Sequence, residues 1–332
     1  MRVLAVTDKF RGTASAAEVA AAVGRAVAGL GGTCDEAPAA DGGEGTLAAL
    51  GGPTRTTTVM GPLGDAVDAP WRLHRGTAVI EMAQASGLAL VGGAAENDPV
   101  AASTHGTGEL IACALDAGAK RIIVGMGGSA TTDGGFGAVR AISGVGRLRG
   151  VELLAACDVR TLFVDAARVF ATQKGATPAQ VTLLTRRLDR LVDVYREDFG
   201  VDVAPLVGGG AAGGLGGGLA ALGADLVSGF DLVADELSLA ERMEAADHLA
   251  LEALLVEEAL PGHDHVGGVA TMAAEAGRPV VAIVGEVLDG VALPDGLYVV
   301  SLVERCGRAA AFEQTAQAVE DATRAALSEL AG

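Results

Sequence analysis

The chain has 332 residues, half of them hydrophobic but only 3% aromatic, and carries a formal net charge of −18. That acidity argues against nucleic acid or an anionic membrane surface as a partner, because both need a basic face. No apolar run reaches the roughly 18 residues of a bilayer span, and the length suits two domains with cores of Val, Leu, Ile and Ala.

Forty-nine glycines in so apolar a chain suggest tight strand–helix turns rather than disorder. Cys34, Cys113, Cys157 and Cys306 are far apart and form no C-x-x-C pair, so reduced core thiols are expected. The opening MRVLAVTDKF reads as a strand with no signal-peptide layout, which makes a cytoplasmic location the expectation.

In chain order, Val3–Val6 is a short strand that ends at Thr7-Asp8. Ser15 then reads as a helix N-cap with Glu18 three residues on, a capping box, and the helix should stop at Gly31-Gly32. Asp8, Lys9 and Arg11 therefore stand at the C-terminal end of the first strand, where open α/β sheets place ligands. A carboxylate beside two cations suits a general base and phosphate clamps; a solvated loop is the other reading. Lysine occurs only at 9, 120 and 174, so Lys9 and Lys174, both in motif-like stretches, gain interest.

Asp41-Gly42-Gly43-Glu44-Gly45-Thr46 is a second glycine loop, with two carboxylates, or else a tight turn with exposed acids. From Thr54 to Ile80 the pattern is hairpin-like about a turn at Gly61–Asp65. Thr107, in THGTGELI at 104–111, reads as a helix cap, and His105 more as a packing residue than a catalyst.

The most informative stretch is GMGGSATTDGGFG at 125–137, which follows the apolar run Ile122–Val124 and precedes a helix-like segment. A strand, a glycine loop and a helix start aim backbone N–H groups at an anion. Gly127, Gly128, Gly134 and Gly135 let backbone approach a phosphate, Ser129, Thr131 and Thr132 add hydroxyls, and Asp133 suits a metal ion or a substrate hydroxyl. Asp158 ends a further strand, and Lys174 stands in Gln173-Lys174-Gly175. A third glycine cluster, Gly208–Gly218, leads into a helix from Leu219. Residues 236–260 read as helix, Pro279–Val284 as a buried strand and Ala309–Leu330 as an amphipathic helix.

These constellations fit phosphoryl transfer, which needs cationic and backbone groups around phosphates, a metal held by carboxylates and a carboxylate near the accepting hydroxyl. The chain has neither G-x-x-x-x-G-K-[ST] nor the protein-kinase set, so neither of those routes applies.

In order along the chain, DKFRGT at 8–13, PAADGGEGT at 38–46, IEMAQASGL at 80–88, THGTGELI at 104–111, GGSATTDGGFG at 127–137, ACDV at 156–159, QKGA at 173–176 and GAAGGLG at 210–216 resemble the motifs of the bacterial glycerate kinase family, the type linked to galactarate and glyoxylate use. The resemblance covers nearly the whole chain. It implies transfer of the ATP γ-phosphate to a hydroxyl of D-glycerate with Mg²⁺, and leaves a homodimer open. It also implies an α/β architecture: a flavodoxin-like parallel-sheet domain (1–62 and 240–332) with a second, restriction-endonuclease-like α/β domain (63–239) inserted. On this reading Asp8, Arg11, Asp41 and Asp133 are catalytic, with Asp8 the general base and Asp41 or Asp133 holding Mg²⁺. Lys9, Gly43, Glu44, Thr107, Gly127, Gly128, Ser129, Thr131, Thr132, Gly134 and Lys174 would bind substrate or phosphate.

The chain departs from the family pattern at the late T-G-E-G-x-x-D…G-K block. The corresponding residues 247–270 read DHLALEALLVEEALPGHDHVGGVA, with Leu251, Glu252, Ala253 and Leu254 at the T-G-E-G positions and Glu257, His263 and Asp264 at the later ones. A sequence that reads as helix replaces a strand and glycine loop. Arg11 also stands where lysine is common, keeping the charge but changing its geometry. The alternative is thus a relative that binds a small acid or nucleotide without catalysis.

Overall fold

The computed structural model describes residues 1–10, 12–142, 145–256, 265–287 and 297–330. Its strands are β1 (Arg2–Thr7), β2 (Thr33–Pro38), β3 (Arg55–Met60), β4 (Ala66–His74), β5 (Thr77–Glu81), β6 (Arg121–Gly125), β7 (Glu152–Ala156), β8 (Asp225–Val227), β9 (His248–Val256), β10 (Val280–Val287) and β11 (Leu297–Ser301). The chain divides into two compact units: Met1–Asp41 with Phe230–Gly332, and Gly42–Gly229. Those divisions fall at 41/42 and 229/230, and the β3–β4 pairing keeps residues 55–71 together in the second unit's sheet.

The first unit holds an all-parallel sheet of order β11-β10-β9-β1-β2. Numbered within the unit this is 2-1-3-4-5, the doubly wound order of flavodoxin-like sheets. The helix Ala16–Gly29 starts at the expected capping box, where Ser15 and Glu18 satisfy each other's backbone N–H. Val19, Val23 and Val27 from that helix pack with Val3, Ala5, Val281, Ile283 and Val319 in one core.

Over its described part, 236–256, the expected helix is not continuous. Short helices at Gly229–Glu236 and Leu239–Glu244 end before β9, which spans His248–Val256. Leu and Ala favour helix by a few tenths of a kcal/mol per residue. Here β9 is inserted between β1 and β10 and forms parallel ladders on both edges, in the registers Val3↔His248 and Val280↔Leu249. Asp247 fixes that start by accepting a hydrogen bond from the Arg2 N–H (2.8 Å). Leu251–Leu254 thus keep a strand position, while Glu257, His263 and Asp264 lie outside the described residues.

The second unit holds a six-stranded sheet, β3-β4-β5-β6-β7-β8, antiparallel from β3 to β5 and parallel from β5 to β8. The expected turn at Gly61–Asp65 joins β3 to β4, closed by Gly61 N–H donating to the Asp65 carbonyl; β4 was not legible as a strand. Trp71, Ile80, Leu110, Ile111, Ile122 and Leu153 form one core, and Phe163, Leu184, Leu188 and Tyr195 another under the helix Pro178–Phe199. The C-terminal segment forms two helices, Arg308–Glu313 and Thr315–Leu330, rather than one. Among the described residues no helix is long and apolar enough to cross a membrane.

Candidate active site

In the first unit, chain order reverses across β1, with β2 on one side and β9 on the other. The carboxyl ends of strands beside such a switch point are where doubly wound sheets bind ligands. Asp8 and Lys9 follow β1 directly. Both are half-buried; Asp8 Oδ1 accepts from the Lys9 N–H (2.7 Å) and lies 3.6 Å from Lys9 Nζ. Arg11 is outside the described residues. Asp41, half-buried, follows the end of β2.

In the second unit, several motifs meet at the carboxyl ends of β5, β6 and β7. Met126 N–H donates to the carbonyls of Gly42 (2.9 Å) and Ala156 (3.2 Å), tying the glycine loop to the 42–46 segment and to β7. The two loops lie in backbone contact: a Cβ on Gly127 would stand 2.7 Å from Gly43 Cα and 2.9 Å from Glu44 N. Glu44's carboxylate lies beside Gly128. On the other side, Leu88 N–H donates to Gly128 O (2.8 Å) and Ala130 N–H to Ser86 O (3.0 Å), a small bridge to the 81–88 segment.

Glu81, buried at the end of β5, accepts from Gly45 N–H (2.9 Å), Leu47 N–H (2.8 Å) and Gln84 Nε2 (3.0 Å). It therefore organises the 42–47 loop from below. Sequence reasoning quoted its motif and passed over the residue, although an acid closing the apolar run of β5 is itself a signal, since buried carboxylates are retained only with donors.

The third glycine cluster presses on the same loop. Ala212, Gly213 and Gly214 adopt left-handed backbone inside the helix Ala211–Ala221, which begins eight residues before the expected Leu219. At Gly213, φ is +69° and any Cβ would collide with the Thr131 carbonyl, so only glycine serves. Gly213 O in turn accepts from Gly134 N–H (3.0 Å).

Three of the expected residues are held by contacts within the protein. Several donors converge on the Asp133 carboxylate, which also lines a cavity with Ser103 and His105. Its carboxylate receives Thr104 N–H (2.9 Å), Thr104 Oγ1–H (2.9 Å), Gly135 N–H (3.1 Å) and Gly137 N–H (3.1 Å). It caps the helix Phe136–Ala141 and binds that helix to the start of the helix His105–Asp116. Thr107 is not a cap, because that helix starts at His105 with Thr104 at its N-cap; the Thr107 hydroxyl is buried against Ser86 Oγ (2.8 Å). Lys174 is 3% exposed, and its Nζ donates to Ser129 Oγ (2.7 Å) and the Thr131 carbonyl (2.6 Å). Burial pulls its ammonium pKa down to about 7, against the opposing pull of Asp133's charge.

Gly134 is held by the Tyr195 hydroxyl, which donates to its carbonyl (2.8 Å); burial first, and Asp133's charge second, raise that phenol above its ordinary range. Thr131 and Thr132 differ from the rest of the loop. Both are buried, and their hydroxyl oxygens have no hydrogen-bond partner. Buried hydroxyls are normally satisfied by protein or by ordered water, so two adjacent orphans set this part of the loop apart. Asp158 Oδ1 accepts from Gly229 N–H (2.9 Å), where the chain leaves this unit. Burial pushes the neighbouring Cys157 thiol up to about 12, so it stays protonated; none of the four cysteines is in a disulfide.

Among the described residues no group of three or more His, Cys, Asp or Glu side chains could cage a metal ion. A magnesium ion carried by substrate phosphates needs only one or two protein carboxylates. Asp41 and Asp133 are the carboxylates the sequence offers for that demand.

The fold and these loops define an α/β protein with a glycine-rich loop at a sheet's carboxyl edge. Comparison with known proteins makes the class specific. The sequence profile of the Glycerate kinase family matches residues 3–146 and 143–331. A protein named glycerate 2-kinase from Escherichia coli K12 is 37% identical, covering 88% of this chain and 87% of its own length. A glycerate kinase from Bacillus subtilis 168 is 36% identical, with coverages of 86% and 85%. A crystal structure of a candidate glycerate kinase 2 from Salmonella typhimurium LT2 superposes with a TM-score of 0.82 at 34% identity, covering 99% of this chain and 98% of that one. The chain belongs to the glycerate kinase family.

Proposed function

We propose that this protein is an active glycerate kinase that transfers the γ-phosphate of ATP to a hydroxyl of D-glycerate. One observation carries the reading: the family's glycine loop is held at the carboxyl edge of the parallel sheet, with Thr131 and Thr132 bringing orphaned hydroxyls to it. In this reading the loop from Gly127 to Gly134 receives phosphate oxygens through backbone N–H groups and hydroxyls, as anion loops do. Glu44, beside Gly128, and Gly43 shape its rim.

Asp8 is the general base. It would take the proton of the attacking glycerate hydroxyl as the new O–P bond forms and the bond from the γ-phosphorus to ADP breaks, with Lys9 offsetting charge beside it. Asp41 would hold Mg²⁺, which, when bound, neutralises charge building on the β- and γ-phosphate oxygens. The C2 hydroxyl is the acceptor we favour, from the name of the Escherichia coli relative. A cytoplasmic location and the absence of nucleic-acid partners remain part of the same proposal, on the acidity of the chain.

The test is ADP release from the purified protein with Mg-ATP, with and without D-glycerate, together with phosphorus NMR of the product. Glycerate-dependent release that drops at least about a hundredfold in Asp8→Asn supports the assignment, since a general base contributes 10²–10⁴-fold. Glycerate-independent or absent release would overturn it, and an unchanged Asp8→Asn rate would remove Asp8 from the base role.

A further inference from the structure

Three consecutive residues of the glycine loop are gripped by two side chains from elsewhere in the second unit. Lys174 Nζ donates to Ser129 Oγ and to the Thr131 carbonyl. Asn97 Nδ2 donates to the Ala130 carbonyl (3.0 Å) and to the carbonyl of Lys174 itself (2.8 Å). The two grips thus close on each other: Asn97 ties the loop to the backbone of the lysine whose side chain ties the loop again. Gly175, with φ +94°, allows the turn that ends at Lys174 and packs its backbone on Ala94.

A buried ammonium is an expensive way to build a turn. An apolar side chain of similar volume would be neutral or stabilising at such a position, so what Lys174 offers beyond packing is direction: two hydrogen bonds aimed at one loop.

We propose that Lys174, backed by Asn97, is a positioning residue that latches Ser129–Thr131 in the shape that receives phosphate, without itself touching the phosphate. The inference rests on the reading of the glycine loop as the phosphate site. The lowered ammonium pKa is a consequence of the same burial and agrees with a group kept away from solvent. Among the described residues, Asp133 is the charged neighbour that acts on it.

The experiment measures steady-state constants for Mg-ATP and D-glycerate, and Mg-ATP affinity by calorimetry, on the full chain. Lys174→Met, confirmed folded by circular dichroism, should raise the ATP KM and Kd about tenfold or more. Its kcat should stay within about threefold, the pattern of lost uniform binding. The glycerate KM should move less than the ATP KM. In the double variant with Ser129→Ala the two effects on KM should fall short of multiplying, because the lysine acts through that serine.

An unchanged ATP KM, a kcat loss equal to the loss in kcat/KM, or fully multiplying effects would each overturn the latch. Should Lys174→Met not fold, Asn97→Ala decides: a raised ATP KM at preserved kcat supports the latch, and wild-type constants overturn it. Ser129→Ala and Thr131→Val separate this inference from its premise. If both leave ATP binding unchanged, the phosphate-loop reading fails and the latch falls with it. If both weaken it while Lys174→Met and Asn97→Ala do not, the latch alone is wrong.

Discussion

Asp133 separates two kinds of carboxylate that a sequence cannot tell apart, and Asp133→Ala distinguishes them. As a metal ligand, Asp133 would be dispensable for folding; its removal would abolish turnover and leave stability unchanged or higher, as is common for strained functional sites. As the cap seen here, it satisfies the backbone N–H groups of Thr104, Gly135 and Gly137 together with the Thr104 hydroxyl. That hydroxyl is itself committed to Ala138 N–H (3.0 Å), so the damage would propagate into the helix. Each buried donor left unpaired costs about 1–3 kcal/mol. With partial relaxation around the alanine, the second unit should lose about 3–5 kcal/mol. Urea unfolding followed by circular dichroism, with the Tyr195 environment as a local probe, measures the loss. A loss below about 1 kcal/mol alongside abolished turnover would refute the capping argument and favour Asp133 as a metal ligand.

Gly127→Ala should damage the same loop from another side. Its Cβ would stand 2.7 Å from Gly43 Cα, so two backbone segments must part; overpacking of this kind costs about 1–3 kcal/mol. The ATP KM should rise as well, and wild-type stability would show that the loops are not in contact. Stability should also depend on pH through Lys174. Its folded pKa, about 7, lies below the 10.5 of the unfolded chain, so between these values the unfolded state binds more protons. Unfolding free energy should therefore rise with pH from about 7 towards 10, by up to about 1.4 kcal/mol per pH unit, and be flat below 7 as far as this group is concerned. Urea midpoints of the wild type and of Lys174→Met, taken at pH 7 and pH 9, should diverge; parallel curves would show that the ammonium is not buried.

Much of the site was legible because it is made of local signals. Ser15 and Glu18 announce a helix start three residues apart, and the run from Gly127 to Gly137 announces a strand–loop–helix turn, so both could be read without knowledge of the fold. What stayed hidden depends on distant partners. Nothing in QKGA shows that Lys174 turns inward to Ser129, 45 residues away, and Asn97 belongs to no motif. The capping by Asp133 stayed hidden because its donors come from Thr104 as well as from its own loop. The helix expected over 236–260 is interrupted by β9 for the same reason: local propensity favoured helix, and the two strands flanking β9 were invisible in the window that was read.

The discontinuous first unit also has a history during synthesis. The partner of β1, β9, arrives some 245 residues after it, the separation of the Arg2–Asp247 hydrogen bond. At roughly 5–20 residues per second, that is a wait on the order of tens of seconds at the ribosome. Throughout it, the β1 edge that will face β9 is unpaired, while Gly42–Gly229 already contains all the strands of its own sheet. The nascent chain therefore completes its inserted unit first, and β1 spends that interval as the segment most in need of a chaperone.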